Sequence, residues 1–206
     1  KRYKDVILDH VLGIPKENFI FEPSIQDVGP AVGLAMAVIG KKHPDSPVAI
    51  LWSDHFVKKE RRFREVLKIA EDLVKKNPNS LVLIGQRARF ANQNLGWIEL
   101  GKQIGQERGT KIFDFRRIVY RPTLAQAEDF LKKNYAWNPG YFVTTPSFLL
   151  SQFKKFTPDL WEGLMEIQNA VGTKSFNSVL DRIYPKFEKI SFDNLILERV
   201  DPSHVF

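Results

Sequence analysis

The chain has no cysteine among its 206 residues. Disulfides and thiolate metal sites are therefore excluded, and any bound metal must be held by oxygen or imidazole. Long apolar runs are missing too, since none approaches the roughly 20 residues of a helical membrane span. The opening KRYKDVILDH builds no apolar stretch of signal-peptide length. There is no internal repeat, no low-complexity linker and no sequence-reading nucleic-acid motif. From these absences we expect a cytoplasmic protein with neither a membrane nor a nucleic-acid partner.

What is present is an ordinary globular composition with a basic balance. Lys and Arg outnumber Asp and Glu by 31 to 24, a formal net charge of +7, which favours anionic partners such as nucleic acid, acidic lipid or phosphorylated small molecules. The basic residues are nevertheless dispersed. The densest run, KKERRFR at 58–64, leads into the helical spacing of Phe63, Val66, Leu67 and Ala70. It reads as a solvated helix face rather than a nucleic-acid patch.

Periodicity predicts alternating elements. A first helix stops near Gly13, and NFIFEP (18–23) is expected to be a short strand. Pro30 opens a small-residue helix. PVAILWS (47–53) and LVLIGQ (81–86) are continuous apolar runs of the kind buried on both faces, with a helix at 58–76 between them. The order βαβαβ predicts a parallel sheet covered by helices. LGWIELG and KIFDFRRIVYRP then read as extended segments around the polar turn QIGQERGT. PTLAQAEDFLKKN is a helix with Thr123 as a cap, PGYFVTT is a strand, and three helical patterns run from Pro146 to about Asp181. A short strand meeting a helix is expected in EKISFDNLILERV. The whole is read as one α/β domain over residues 1–206.

Candidate chemistry sits where strands end, because ligands of open α/β sheets bind beyond the carboxyl ends of their strands. Asp54 follows PVAILWS directly, where a carboxylate can ligate Mg²⁺ or cap the next helix. Asp193, at the start of the last helix, carries the same two alternatives. His55 reads as structural. Arg121, after a strand and before Pro122, can clamp a phosphate or lie on the surface. YAWNPGYF (135–142) is either a tight hairpin turn or a ligand site. In the second case Asn138 reaches a hydroxyl and Gly140 lets the ligand approach the backbone.

Taken in order, these segments resemble the mannose-1-phosphate guanylyltransferases. FIFEPSIQDVGPA, SDH after a strand, V-Y-R-P, Y-A-W-N-P-G-Y-F and S-F-D-N-L-I-L-E-R occur here in the order in which that family carries its counterparts. The usual forms there are a Glu-Pro followed by Arg-Asn-Thr-Ala-Pro-Ala, then Leu-Pro-Ala-Asp-His, Val-Glu-Lys-Pro, Tyr-Leu-Trp-Asn-Ser-Gly-Met-Phe and Ser-Ile-Asp-Tyr-Ala-Val-Met-Glu. The resemblance implies a Rossmann-like nucleotidyltransferase core with a mixed, mostly parallel sheet. It also implies transfer of a nucleotidyl group from GTP to mannose-1-phosphate or a similar sugar-1-phosphate, giving GDP-mannose and pyrophosphate. Asp54 and Asp193 would hold Mg²⁺, Arg121 the sugar phosphate, and Asn138, Gly140 and Gly96 the sugar wall. A homo-oligomer is left open.

Departures from the pattern accompany the matches. Tyr120-Arg121-Pro122 stands for Glu-Lys-Pro, Gln26-Asp27-Val28-Gly29 for Arg-Asn-Thr-Ala, and Gln93-Asn94-Leu95-Gly96-Trp97-Ile98 for Thr-Gly-Tyr-Gly-Tyr-Ile. They bear on guanine preference and on the identity of the sugar. The family's opening Gly-rich loop, ending in Gly-Thr-Arg, does not occur between Lys1 and Phe206. The core is therefore expected to be incomplete, with further residues before Lys1 and a shorter piece after Phe206. The alternative implied by these departures is a non-catalytic relative that binds sugar nucleotides or regulates such an enzyme.

Overall fold

The computed structural model describes residues 4–206. Among these, seven α-helices and seven strands follow one another as α1 (Lys4–His10), α2 (Val28–Gly40), β1 (Val48–Ile50), α3 (Glu60–Lys76), β2 (Leu81–Leu83), β3 (Gln86–Arg87), β4 (Gly96–Glu107), β5 (Thr110–Val119), α4 (Leu124–Lys132), β6 (Ala136–Asn138), β7 (Phe142–Thr144), α5 (Pro146–Phe156), α6 (Pro158–Ala170) and α7 (Phe176–Ile183). The expected mixed α/β fold, with sheet covered by helices, is observed. Among the described residues no helix is long and apolar enough to cross a membrane.

Strand direction differs from the expectation. The first sheet has the order β1-β7-β2, and β7 is antiparallel to both neighbours. β1 and β2 thus run the same way, as a strand–helix–strand unit should, but they do not touch. β7, arriving some sixty positions later in the chain, fills the gap between them. The mostly parallel sheet is therefore replaced by one built from antiparallel pairs. The parallel bridge among the described residues is an isolated one, Leu81 to Val205.

Period-two alternation explains why this sheet is buried on both sides. Val82 and Val143 face α3, meeting Ala70 and Val74. Leu81, Leu83 and Phe142 face the opposite way into the main core with Leu34, Met36, Phe148, Phe153 and Leu164 from α2, α5 and α6. β1 is the exception to the expectation of full burial: Val48 and Ile50 are half-buried and Ala49 is exposed.

The second sheet has the order β3-β6-β4-β5, also antiparallel. β4 and β5 form a long hairpin whose turn is only Arg108-Gly109. Both residues have positive φ, at 47° and 73°, as a two-residue turn of matching twist requires. The polar QIGQE expected in the turn is strand instead. α4 seats Ala127 and Phe130 against Trp97 and Trp137 of this sheet.

Two further expectations are corrected. NFIFEP forms no strand: a 3-10 turn at Lys16–Asn18 runs into an irregular segment. It is fixed instead by side chains, with the Tyr184 hydroxyl donating to the Glu22 carboxylate and Gln26 Nε2 donating to the Pro185 carbonyl at 2.7 Å. EKISFDNLILERV likewise has no strand; a single π-helical turn covers Asp193–Leu197.

Candidate active site

The stretch YAWNPGYF is not a hairpin. β6 belongs to the second sheet and β7 to the first, so Asn138-Pro139-Gly140 is the joint at which the chain changes sheet. A joint of this kind leaves a cleft, and one of about 170 Å³ lies here, lined by Asp27, Trp52, Tyr120, Asn138, Gly140 and Asp193 among others.

Asn138 is 5% exposed and uses both ends of its carboxamide. Its Oδ1 accepts the Gly140 N–H at 3.0 Å, closing the local turn, and its Nδ2 donates to Asp193 Oδ1 at 3.1 Å. One amide hydrogen and one oxygen lone pair are left for a ligand. Burial pushes the Asp193 carboxyl above its ordinary value, opposed by the hydrogen bond from Asn138. The capping alternative for Asp193 is not realised, because Ser191 Oγ accepts the Asn194 N–H at 3.2 Å in that role.

Gly96 pairs with Asn138 across β4 and β6. A Cβ there would lie 3.3 Å from Asn138 Cβ and 3.4 Å from Asp193 Oδ1. Its missing side chain therefore gives the Asn138–Asp193 pair its room, from behind rather than from the cleft wall. Gly140 has φ +85°, a conformation that favours glycine. The space above it is taken by the Trp52 indole, as a Cβ on Gly140 would come within 2.1 Å of Trp52 Nε1.

Asp54 and Arg121 stand at the margin. Asp54 is exposed in the loop after β1 and caps nothing, since α3 begins six residues later. Its loop is nonetheless tied to the joint, because His55 Nδ1 pairs with the Tyr141 hydroxyl at 2.6 Å while Trp52 meets Gly140. Desolvation and the nearby Asp54 charge push the Tyr141 phenol up. Arg121 is exposed, with its guanidinium 5.1 Å from the centre of the Tyr120 ring that lines the cleft. Its φ of +48° is unusual for an arginine and more so before proline. The structure thus gathers Asn138, Gly140 and Asp193 with Gly96 behind them, and leaves Asp54 and Arg121 within the adjoining loops.

Sequence reasoning missed Trp52 and Tyr120 as lining residues, although each lies within a segment already singled out. It noted Asp27 only as a departure. Asp27 has φ 68° and ψ 177°, a region occupied almost solely by glycine, and caps α2 by accepting the Val28 N–H at 2.6 Å. Gly29 N–H donates to the Ile190 carbonyl at 3.0 Å, which brings this loop alongside the Asp193 turn.

Fold and cleft together define a two-sheet α/β architecture with a small acidic pocket at the joint between the sheets. No protein-family model matches the chain. It is nevertheless homologous to proteins named mannose-1-phosphate guanylyltransferase. One from Escherichia coli is 27% identical over 186 residues, covering 88% of this chain and 40% of the relative. Another, from Klebsiella pneumoniae, is 28% identical over 185 residues, covering 88% and 38%. The resemblance read from the ordered motifs thus holds over most of the chain, and the chain spans at most about 40% of the length of these curated relatives. Among solved structures, a Thermus thermophilus protein described as a mannose-1-phosphate geranyltransferase superposes with a TM-score of 0.81 at 24% identity, over 98% of this chain and 54% of that one. A mannose-6-phosphate isomerase from Helicobacter pylori gives 0.79 at 19% identity, over 99% and 77%. These two likenesses are likenesses of fold.

Proposed function

We propose that this core serves transfer of a nucleotidyl group to a sugar-1-phosphate, with GTP and mannose-1-phosphate as the substrates suggested by the relatives' name. The observation that carries the proposal is the hydrogen-bonded pair of buried Asn138 and half-buried Asp193, at the joint between two sheets and lining a sugar-sized cleft. A sugar hydroxyl would meet the remaining amide hydrogen of Asn138. One oxygen of the sugar phosphate attacks the α-phosphorus of the nucleotide in line, forming a new P–O bond as the bond to pyrophosphate breaks. A phosphomonoester is already largely ionised at neutral pH, so the protein supplies no general base. Its task is to align anions and offset their charge.

The cleft's charge bears on how that is done. Asp27 and Asp193 line it, and among the described residues no lysine or arginine does. Two carboxylates alone would repel a phosphate, whereas a hard divalent cation suits an all-oxygen donor set. Asp193 fits Mg²⁺ as a half-buried carboxylate lining the cleft, and Asp54 would join it from the adjoining loop. When bound, the cation would offset charge on the phosphates. Arg121 would hold the sugar phosphate from the rim beside Tyr120.

The binding-only alternative is favoured by one observation. At about 170 Å³ the cleft is smaller than the roughly 300–1,000 Å³ of most small-molecule sites, so it suits a sugar better than a whole nucleotide. Kinetics of Asn138→Ala in the full-length protein test the proposal. Loss of one neutral hydrogen bond should raise KM for the sugar phosphate about two- to tenfold and change that for the nucleotide less. Equal effects on both would make Asn138 a structural joint. Asp54→Ala and Asp193→Ala should each lower turnover severely and weaken its Mg²⁺ dependence. Near-normal turnover in either would remove that residue from the metal site, and a wild type that binds sugar phosphate without turnover would favour the binding-only alternative.

A further inference from the structure

Away from the sugar cleft, we propose that a slot between the two sheets receives one further strand, parallel to β2 and supplied by residues that continue the polypeptide past Phe206. The observation that carries this is a ladder already begun. The Phe206 N–H donates to the Leu81 carbonyl at 3.0 Å, and the Leu83 N–H donates to the Phe206 carbonyl at 2.8 Å. Parallel pairing is evenly spaced, so its next two bonds fall on the Leu83 carbonyl and the Gly85 N–H. The residue between them faces the other way, with the Ile84 N–H donating to the Tyr141 carbonyl at 2.9 Å. The Gly85 N–H has no acceptor among the described residues.

Beside Phe206 lies a cavity of about 720 Å³, against about 170 Å³ for the cleft. Leu83, Ile84 and Gly85 border it, and so do all of residues 110–115 of β5. Alternate residues of a strand face opposite ways, so a cavity touching six in succession runs along the strand's edge. β2 and β5 are outer strands of their sheets. The cavity is thus a slot between two sheet edges, whose unpaired backbone groups are a template for another strand. α3 lines it with Ile69, Ala70 and Leu73. Arg62 of the same helix ties the slot's far wall in place, donating to the Arg108 carbonyl at 2.7 Å and to Thr110 Oγ1 at 2.5 Å. A small apolar ligand would fit the volume but would leave the Gly85 N–H unpaired, which is costly once water is displaced. Residues joined to Phe206 would enter in register with no connecting loop, and the curated relatives and fold neighbours all continue outside the region they share with this chain. β1 and β2 run the same way, so a strand parallel to β2 would leave the slot at the end of the first sheet from which the Asp54 loop departs.

Residue-resolved amide hydrogen exchange on the full-length protein tests this. The Gly85 amide should exchange about as slowly as that of Leu83, at least about a hundredfold slower than an unstructured amide, and its protection should not change on dilution. The dye 8-anilinonaphthalene-1-sulfonate, which reports open apolar surface, should find no site in the slot. Cutting the chain after Phe206 should release the Gly85 amide and open a dye site that Leu73→Trp closes by filling the slot. If the shortened chain does not fold, the full-length measurements decide alone. A Gly85 amide that exchanges freely in the full-length protein would overturn the inference. Protection lost on dilution would assign the strand to a second copy, and a dye site in the full-length protein that Leu73→Trp closes would make the slot a ligand cavity. Either result also overturns it.

Discussion

Asp193 is held in a setting that an isolated carboxylate does not favour. It is half-buried, and its side chain receives the amide of Asn138 rather than a basic residue. Burial raises its pKa above the ordinary 3.8. The folded chain then holds this proton more tightly than the unfolded chain. The stabilisation it contributes is complete below the ordinary value and is lost as pH rises through the raised folded value. Asp193→Asn removes that loss, and its amide oxygen can still accept from Asn138. With divalent ions chelated, the variant should melt above wild type near neutral pH, and the difference should shrink in acid. Adding Mg²⁺ should raise the melting temperature of wild type and leave the variant unmoved, since a ligand stabilises only the form that binds it. Scanning calorimetry across pH checks both, and a wild type indifferent to Mg²⁺ would detach Asp193 from any metal role.

The elements of this fold vary in how much of their placement is local. α4 is wholly local at its start: Thr123 Oγ1 accepts the Gln126 N–H at 3.3 Å, and Gln126 Oε1 accepts the Thr123 N–H at 2.9 Å. Such a reciprocal cap is worth about 0.5–2 kcal/mol, so Thr123→Ala should lower unfolding free energy by that amount in urea titration. A smaller effect would mean that Phe130 packed on Trp97 fixes the helix unaided. Because caps and periodicity act within a few residues, α3, α4 and the helices after Pro146 were readable from sequence. Strand partners are not local. The runs at β1 and β2 correctly suggested same-direction strands around a helix, yet nothing in them announces β7 between. YAWNPGYF has the composition of a hairpin turn, and only the assignment of its two flanks to different sheets makes it a joint. NFIFEP has strand composition and no strand partner, so hydrogen bonds from Tyr184 and Gln26 hold it instead. At the site, Asn138 and Asp193 were legible as motif residues. Trp52 was not, because its significance lies in the empty side of a glycine 88 positions away.

At the scale of the whole molecule, the cleft is assembled by the packing of both sheets. Asp27 reaches it from the start of α2, Trp52 from the end of β1, Tyr120 from the end of β5, and Asp193 from a turn near the C-terminus. The proposed sugar recognition would therefore need the entire core. Triphosphate activation needs something more: backbone N–H groups and a cation that fix the α-phosphorus opposite the nucleophile, where small misplacements are costly in rate. No Gly-rich phosphate loop occurs between Lys1 and Phe206. The basic run at 58–64 does not replace it, because Arg61, Arg62 and Arg64 are committed to Glu65 and Glu60 along the outside of α3. The 206-residue chain should accordingly bind a hexose 1-phosphate and yet release no pyrophosphate when incubated with GTP, mannose-1-phosphate and Mg²⁺. A coupled pyrophosphate assay measures this directly. Robust release would show that these residues position a triphosphate by themselves, and the roles of Asp54, Arg121 and Asp193 would then have to be reassigned around a nucleotide rather than a sugar.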